Sequence, residues 1–229
     1  MRIAKPWIDY KPAFLATDRA NAIFNWLNEQ SLRPETGECG KPPTHDTIQW
    51  GPRQAYISCV PVEYRVMSSG PIPVQLSKLH EEIEELYQAA FNTIQVNRHY
   101  DHNSYVQPHS DLMDGHIVML SLGEERRFIL RYKHDDKAKT LHRWKAGDIY
   151  FDNLLPSGSL LTIYKQHQFD LTHEMPKASS TCGVRISMIW RYITASVVNG
   201  PLGAPALYAG TPEYKAAQAA WIEKNGGKK

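Results

Sequence analysis

His109-Ser110-Asp111 places an imidazole and a carboxylate two residues apart, and His173 follows sixty-two residues later. Side chains of an extended strand alternate between faces, so positions i and i+2 project from the same side. A second, distant imidazole completes a two-His-one-carboxylate facial triad, which holds non-haem Fe(II) and leaves positions open for a cosubstrate and oxygen. The chemistry such a set would serve is that of an oxygenase. Taken alone, His-x-Asp is a weak signal in a chain with ten histidines and 24 acidic residues. Its weight comes from what surrounds it.

Arg185 and Arg191 lie twelve residues beyond His173 and six apart, an even separation that puts both on one face of a strand. Flanked by Val184, Ile186, Met188 and Trp190, they would be buried and in need of anionic partners, because an unpaired buried charge is costly. A dicarboxylate cosubstrate would supply them through paired guanidinium–carboxylate hydrogen bonds. Six strand residues span roughly 20 Å, so both arginines reach one small diacid only by leaning together. Arg185 is the firmer assignment, since the alternative for Arg191 is an exposed charge at the strand end.

The elements that must carry these residues are mostly strands. Thr93–Tyr100, His116–Leu122, Arg127–Tyr132, Asp148–Asp152, Leu160–Tyr164 and Val184–Ile193 are β-rich runs, separated by turn signals such as Asp114-Gly115 and Ala146-Gly147-Asp148. Two helices precede them. Ala20, Ile23, Phe24 and Leu27 follow a Thr17 or Asp18 cap, and Leu76, Leu79, Ile83, Leu86 and Ala90 form an apolar stripe after Pro71 and Pro73. Residues 31–56 read as loops with short strands at most. The expected fold class is α+β, mainly β: a double-stranded β-helix, or jelly roll, with the N-terminal helices packed outside it. After Thr194 a Gly/Pro-rich connector leads to a helix starting at Thr211-Pro212-Glu213, read as an appended C-terminal tail over 195–229.

Bulk properties narrow the classes. Hydrophobic content of 42% and charged content of 22% are those of a globular protein, and 229 residues suffice for one sizeable core. Three cysteines at wide spacing, with no CxxC pair, argue against a disulfide framework or a zinc site and for a reducing compartment. The sequence offers no membrane span and no apolar signal segment, so the expected location is cytoplasmic, or nuclear in a eukaryote. No obligate protein partner is evident. Net charge is only +2, yet Arg126, Arg127, Arg131, Lys133, Lys137, Lys139, Arg143 and Lys145 face just Asp135 and Asp136 in their segment. That run could follow a phosphate backbone or be a solvated hairpin face.

Together, Asn97-x-x-Tyr100, His109-Ser110-Asp111, Leu120-Ser121-Leu122-Gly123, the distal His173 and Arg185-x5-Arg191 resemble the AlkB family of Fe(II)/2-oxoglutarate dioxygenases. The likeness runs from about residue 50 to 193, within a dioxygenase domain of residues 1–194. Gly51-Pro52-Arg53, Tyr64-Arg65-Val66-Met67 and Pro71-Ile72-Pro73 with the helix after them are similar to the family's nucleotide-recognition lid and support helix, about 50–92. The resemblance implies His109, Asp111 and His173 as iron ligands and Asn97, Tyr100, Arg185 and Arg191 as 2-oxoglutarate contacts. It also implies O2 as co-reactant and Arg53, Tyr64, Met67 and Asp114 as substrate contacts. DNA or RNA would be the substrate, with a methylated base extruded and demethylated, releasing formaldehyde, succinate and CO2. Arg53, Arg65 and the 126–145 segment would hold the backbone.

Several positions depart from the family pattern. The family's cosubstrate tyrosine falls two residues after the asparagine, where this chain has His99, so either Tyr100 shifts into the role or His99 replaces it. Tyr100 is the weakly preferred choice. His167 is the rival to His173, with poorer spacing to Arg185, and reads as a loop histidine. Leu112 and Met113 stand where base-repairing members usually carry acidic residues, leaving Asp114, and stacking on a base would fall to Tyr64 or a methionine. Met67 is as reasonable in a core as against substrate. Two other readings follow. One keeps the chemistry and changes the substrate to a nucleoside, small metabolite or protein side chain. The other is a silent jelly-roll binding module, which an intact triad argues against.

Overall fold

The computed structural model describes residues 6–34, 45–51, 70–111, 115–136 and 144–192. Within them eleven strands form two antiparallel sheets. The strands are β1 (Ile8–Lys11), β2 (Arg33–Pro34), β3 (Asp46–Trp50), β4 (Thr93–His99), β5 (Val106–His109), β6 (Ile117–Gly123), β7 (Arg126–Tyr132), β8 (Ile149–Leu155), β9 (Leu160–Ile163), β10 (Leu171–Met175) and β11 (Arg185–Arg191). The larger sheet runs β1-β9-β6-β11-β4-β3-β2 and the smaller β5-β10-β7-β8. Helices α1 (Thr17–Asn28) and α2 (Val74–Tyr87) complete the described elements, with one 3-10 turn at Lys165–His167. This is the expected jelly roll with helices outside.

Period-two alternation sorts the side chains of the large sheet into two layers. Ile94, Val96, Val118, Leu120, Leu122, Ile186, Met188 and Trp190 point outward and pack under Ala20 and Leu27 of α1 and Leu76, Leu79 and Ile83 of α2. Arg19 of α1 and Glu82 of α2 pair at 2.6 Å and tie the helices together. A second apolar cluster fills part of the space between the sheets, with Ile117, Met119, Leu161, Ile163 and Ile189 facing Phe128, Leu130, Leu155, Leu171 and Met175. The helices thus shield one face of the large sheet, and the opposite face is free to build a site.

Local details differ from the sequence reading for physical reasons. The first residue before α1 is Ala16, with no side-chain cap, and Thr17 and Asp18 are already helical. In α2 the stripe turns from Ile83 to Tyr87, four residues on. Leu86 is 42% exposed, and Ala90 lies beyond the helix, which ends at Tyr87 with Gln88 left-handed. Three strands were not foreseen. β1 is a short edge strand carrying Asp9 and Lys11, β5 contains Pro108, and β10 is half polar. Proline is tolerated at a sheet edge, which is where β5 sits. β3, inside the region read as loops, pairs with β4 along five residues.

Gly123 ends β6 at φ +78, and an added Cβ would meet the Phe24 ring of α1 and the Val184 carbonyl at 2.5 Å each. Both the backbone conformation and the space require glycine. Gly123→Ala is expected to cost roughly 2 kcal/mol or more in denaturant unfolding, since it adds strain and forces α1 off the sheet. A loss under about 0.5 kcal/mol would show that α1 can shift freely.

Candidate metal and cosubstrate site

β10 lies between β5 and β7, with His173 opposite both His109 and Leu130. Directly opposed residues project to one side, so the two imidazoles meet, their ring centroids 4.1 Å apart. The β5–β10 register shifts just past this pair, and the Ser110 hydroxyl donates to the Leu171 carbonyl at 2.8 Å, fastening the chain where it leaves β5. Asp111 therefore follows the end of β5 rather than sharing its strand with His109. It still arrives at the same point. One ligand atom from each of His109, Asp111 and His173 lies within 4.8 Å of the others.

The protonation states suit a cation. His109 Nδ1 stands 2.8 Å from the Gln107 carbonyl oxygen, which can only accept, so Nδ1 donates there and Nε2 is the nitrogen turned toward Asp111, 3.8 Å from its Oδ1. His173 is stacked beside Phe128, and burial first, then His109 and Arg191, push its pKa down to about 3 against the opposing Asp111, so the ring is neutral. Burial alone would raise the Asp111 carboxyl. The Arg191 guanidinium, then His173 and His109, instead hold it well below the usual carboxylate range. Two imidazoles and one carboxylate, all oriented by neighbours, form a donor set appropriate to Fe(II).

Arg191 is not the exposed strand-end charge that its position allowed. It is buried, donates to Asp111 Oδ2 at 2.8 Å and also to Gln95 Oε1. Gln95 Nε2 donates to Asn97 Oδ1 at 3.0 Å, and that oxygen also accepts from the Thr47 hydroxyl at 2.9 Å. One hydrogen-bonded line thus runs from the triad across the inner face of the large sheet. The sequence reading placed Asn97 there and missed Gln95 and Thr47.

Arg185 occupies the other end of β11. It is 2% exposed, donates to the Ser121 hydroxyl at 3.0 Å, and has a buried Nε without a partner. Among the described residues no carboxylate pairs with it. Burial, and after it the nearby Arg126, push its pKa down to about 9. The two arginines at the ends of the strand have separate neighbours: Arg191 is engaged by Asp111 and Gln95, and Arg185 by the Ser121 hydroxyl and Met119.

On the triad side of this face lies an apolar cleft, partly open to solvent, lined by Ile117, Met119, Phe128, Leu161, Ile163 and Ile189 together with Asp111, His173 and Arg191. Tyr100 is not brought to this cleft. It is 45% exposed, with its hydroxyl and ring against Arg98. His99 is buried on the inner face, opposite Arg185. His167 sits in the 3-10 turn, stacked on Trp7 at 4.4 Å and near Asp170, as its reading as a loop histidine required. Arg53, Tyr64, Arg65, Met67 and Asp114, with the whole tail after Tyr192, lie outside the described residues.

The basic segment is not a free cationic strip. Arg126 is buried and donates to the carbonyls of Asp101, Ser104 and Pro176, Arg127 pairs with Asp152, and Arg131 pairs with Glu174. Lys133 and Lys145 are exposed, and Lys137, Lys139 and Arg143 lie outside the described residues. Arg126→Met is expected to destabilise the fold by about 2–4 kcal/mol, because three carbonyls lose a charged donor. Thermal or denaturant unfolding would measure it, and a neutral result would return Arg126 to the surface role first read for it.

No protein-family model matches the sequence, and no curated protein matches it either. Solved structures do. OsALKBH1 is similar over 83% of this chain and 100% of its own, with 13% identity and a TM-score of 0.57. A Pseudomonas putida prolyl-4-hydroxylase is similar over 83% of this chain and 95% of its own, with 10% identity and a TM-score of 0.52. At such identities the likeness establishes the fold, a jelly roll shared by proteins with very different sequences. Among the described residues no helix is long and apolar enough to cross a membrane.

Proposed function

We propose that this chain is a non-haem Fe(II)/2-oxoglutarate-dependent dioxygenase. One observation carries the reading: His109, Asp111 and His173 converge beside an apolar cleft, and along the inner face of β11 stands Arg185, a buried cation that no carboxylate of the described residues pairs with. The three side chains would hold Fe(II), and Arg185 would take the distal carboxylate of 2-oxoglutarate. When bound, the pair supplies oxidative decarboxylation coupled to hydroxylation of a substrate C–H bond. The chain's own part is positional. Gln107 orients the His109 ring, Phe128 backs His173, Arg191 holds Asp111 ionised, and the apolar walls line the approach to the reacting centre.

The substrate proposed is an alkylated nucleobase in DNA or RNA, demethylated with loss of formaldehyde. Support comes from the motif order over 50–193 and from the likeness to OsALKBH1. A second reading, hydroxylation of a nucleoside, metabolite or protein side chain, is favoured by the internal pairing of Arg126, Arg127 and Arg131, which removes three cations from any phosphate track. Succinate and formaldehyde measured together over methylated single- and double-stranded oligonucleotides separate the two. Both products rising with an oligonucleotide is the expected result. Stimulation by none of them would leave the second reading.

A further inference from the structure

We infer that a cluster of aromatic rings at the triad end of the sandwich, edged by three lysines, is a docking platform for single-stranded nucleic acid. The inference deepens the nucleic-acid reading above, on which it rests, by naming the form of the strand. Trp7, just before β1, is the centre of the cluster. Its indole is stacked with His167 of the 3-10 turn, centroids 4.4 Å apart and planes 7° from parallel, and with Tyr150 of β8 at 5.5 Å. A second stack, Tyr132 at the end of β7 with Trp144 at 4.6 Å, meets Trp7 edge-on at 83° and 87°. All five rings are half-buried rather than sealed in the core. Rings that hold one another in this way lose little side-chain freedom when a flat ligand stacks on them.

Position and charge fit a strand. Trp7 precedes Ile8, which pairs with Ile163 of the cleft wall, and Tyr132 pairs with Leu171, two residues from His173. A chain lying on the cluster would thus run past the mouth of the cleft, where one base could turn in toward the triad. Lys133, Lys145 and Lys165 each follow an aromatic residue at this end, and all three are exposed. The ion pairs nearby use Arg127, Arg131 and His167, and among the described residues no carboxylate pairs with the three lysines. The acids of the hairpin are turned inward: Asp148 accepts from the Lys145 N–H and Asp135 from the Ala146 N–H, each at 2.8 Å. Aromatic faces interleaved with free cations are what binds unpaired bases and their phosphates together, whereas a duplex hides its base faces.

The test is fluorescence anisotropy on the metal-free full chain, with a labelled oligothymidylate of about twelve nucleotides and a duplex of equal length. The single strand is expected to bind at least about fivefold more tightly than the duplex at about 0.1 M salt. Lys133→Gln, Lys145→Gln and Lys165→Gln combined should weaken it and flatten the slope of log affinity against log salt by about 2, three phosphates at about 0.7 each. Trp144→Leu should weaken it about tenfold with the slope unchanged, and Trp144→Phe should recover most of that loss. Thermal unfolding checks each fold, and the exposed lysines keep the test decisive should Trp144→Leu not fold. Equal binding of strand and duplex, an unchanged affinity in folded Trp144→Leu, or a slope that the lysines do not move would overturn the platform. No turnover is read, so that failure leaves the dioxygenase reading standing. Binding as expected, with no succinate from any methylated strand, would uphold the platform and overturn demethylation instead.

Discussion

Asp111→Ala is expected to abolish turnover, lowering succinate formation by about a thousandfold or more, and to remove Mn(II) binding at micromolar concentrations. A metal ligand alone would predict that much. The structure adds a second consequence in the metal-free protein. Asp111 is also the anion that pairs with buried Arg191 at 2.8 Å, and removing it takes the carboxylate from that guanidinium while the Gln95 hydrogen bond stays. Breaking a buried pair from one side costs about 3 kcal/mol or more. The metal-free variant should therefore unfold at distinctly lower denaturant than the metal-free wild type. His173→Ala should lose metal and turnover equally, with a smaller stability cost set by its packing on Phe128.

The pH dependence has a definite sign. The Asp111 carboxyl is depressed in the folded chain, so its stabilisation is fully present above the unfolded carboxylate pKa of about 4 and is lost as pH falls further. The stability gap between wild type and Asp111→Ala should be constant from about pH 5 to 8 and narrow only in stronger acid. A gap that closes already near neutrality would mean that Asp111 and Arg191 are not paired in solution.

The parts of this architecture legible in the sequence were those carried by local pattern. Six strands announced themselves by β-branched runs between turns, and two helices by their apolar spacing. Most boundaries fell within a residue or two of those observed; α2 ended before Ala90 and β8 ran on to Leu155. The triad residues were legible from residue type and motif order, although the one strand expected to carry both His109 and Asp111 ends at His109. What could not be read depended on register. Thr93, Gln95, Asn97 and His99 alternate visibly along β4, but that they face inward, and that Gln95 meets Arg191, is decided by β11 lying beside β4. β5 and β10 escaped because a short proline-bearing edge strand and a half-polar strand look like loops, although together they bring His109 to His173. Arg126 looked like a surface charge because the carbonyls around it come from residues 101, 104 and 176, which no local window joins.

Arg185→Met is expected to separate binding from stability in opposite directions. Loss of the guanidinium should weaken 2-oxoglutarate by about a hundredfold, since a buried carboxylate would lose a paired, charge-assisted contact. The metal-free, ligand-free variant should nevertheless be more stable than the wild type by about 1–3 kcal/mol. In the folded chain burial pushes the pKa of Arg185 down to about 9, so at neutral pH the protein carries a charge that folding disfavours. For a base depressed in this way the penalty is fully present below the folded value and is relieved as pH rises through it. Methionine fills a similar volume beside Met119 and Ser121 without that penalty. Saturating 2-oxoglutarate with Mn(II) should then reverse the order, stabilising the wild type by about 2.7 kcal/mol at a hundred times its dissociation constant and the variant far less. Thermal unfolding of both proteins, with and without the ligand pair, tests all of this at once. A variant less stable in the free state would show that Arg185 already has a partner and was never kept for an incoming anion.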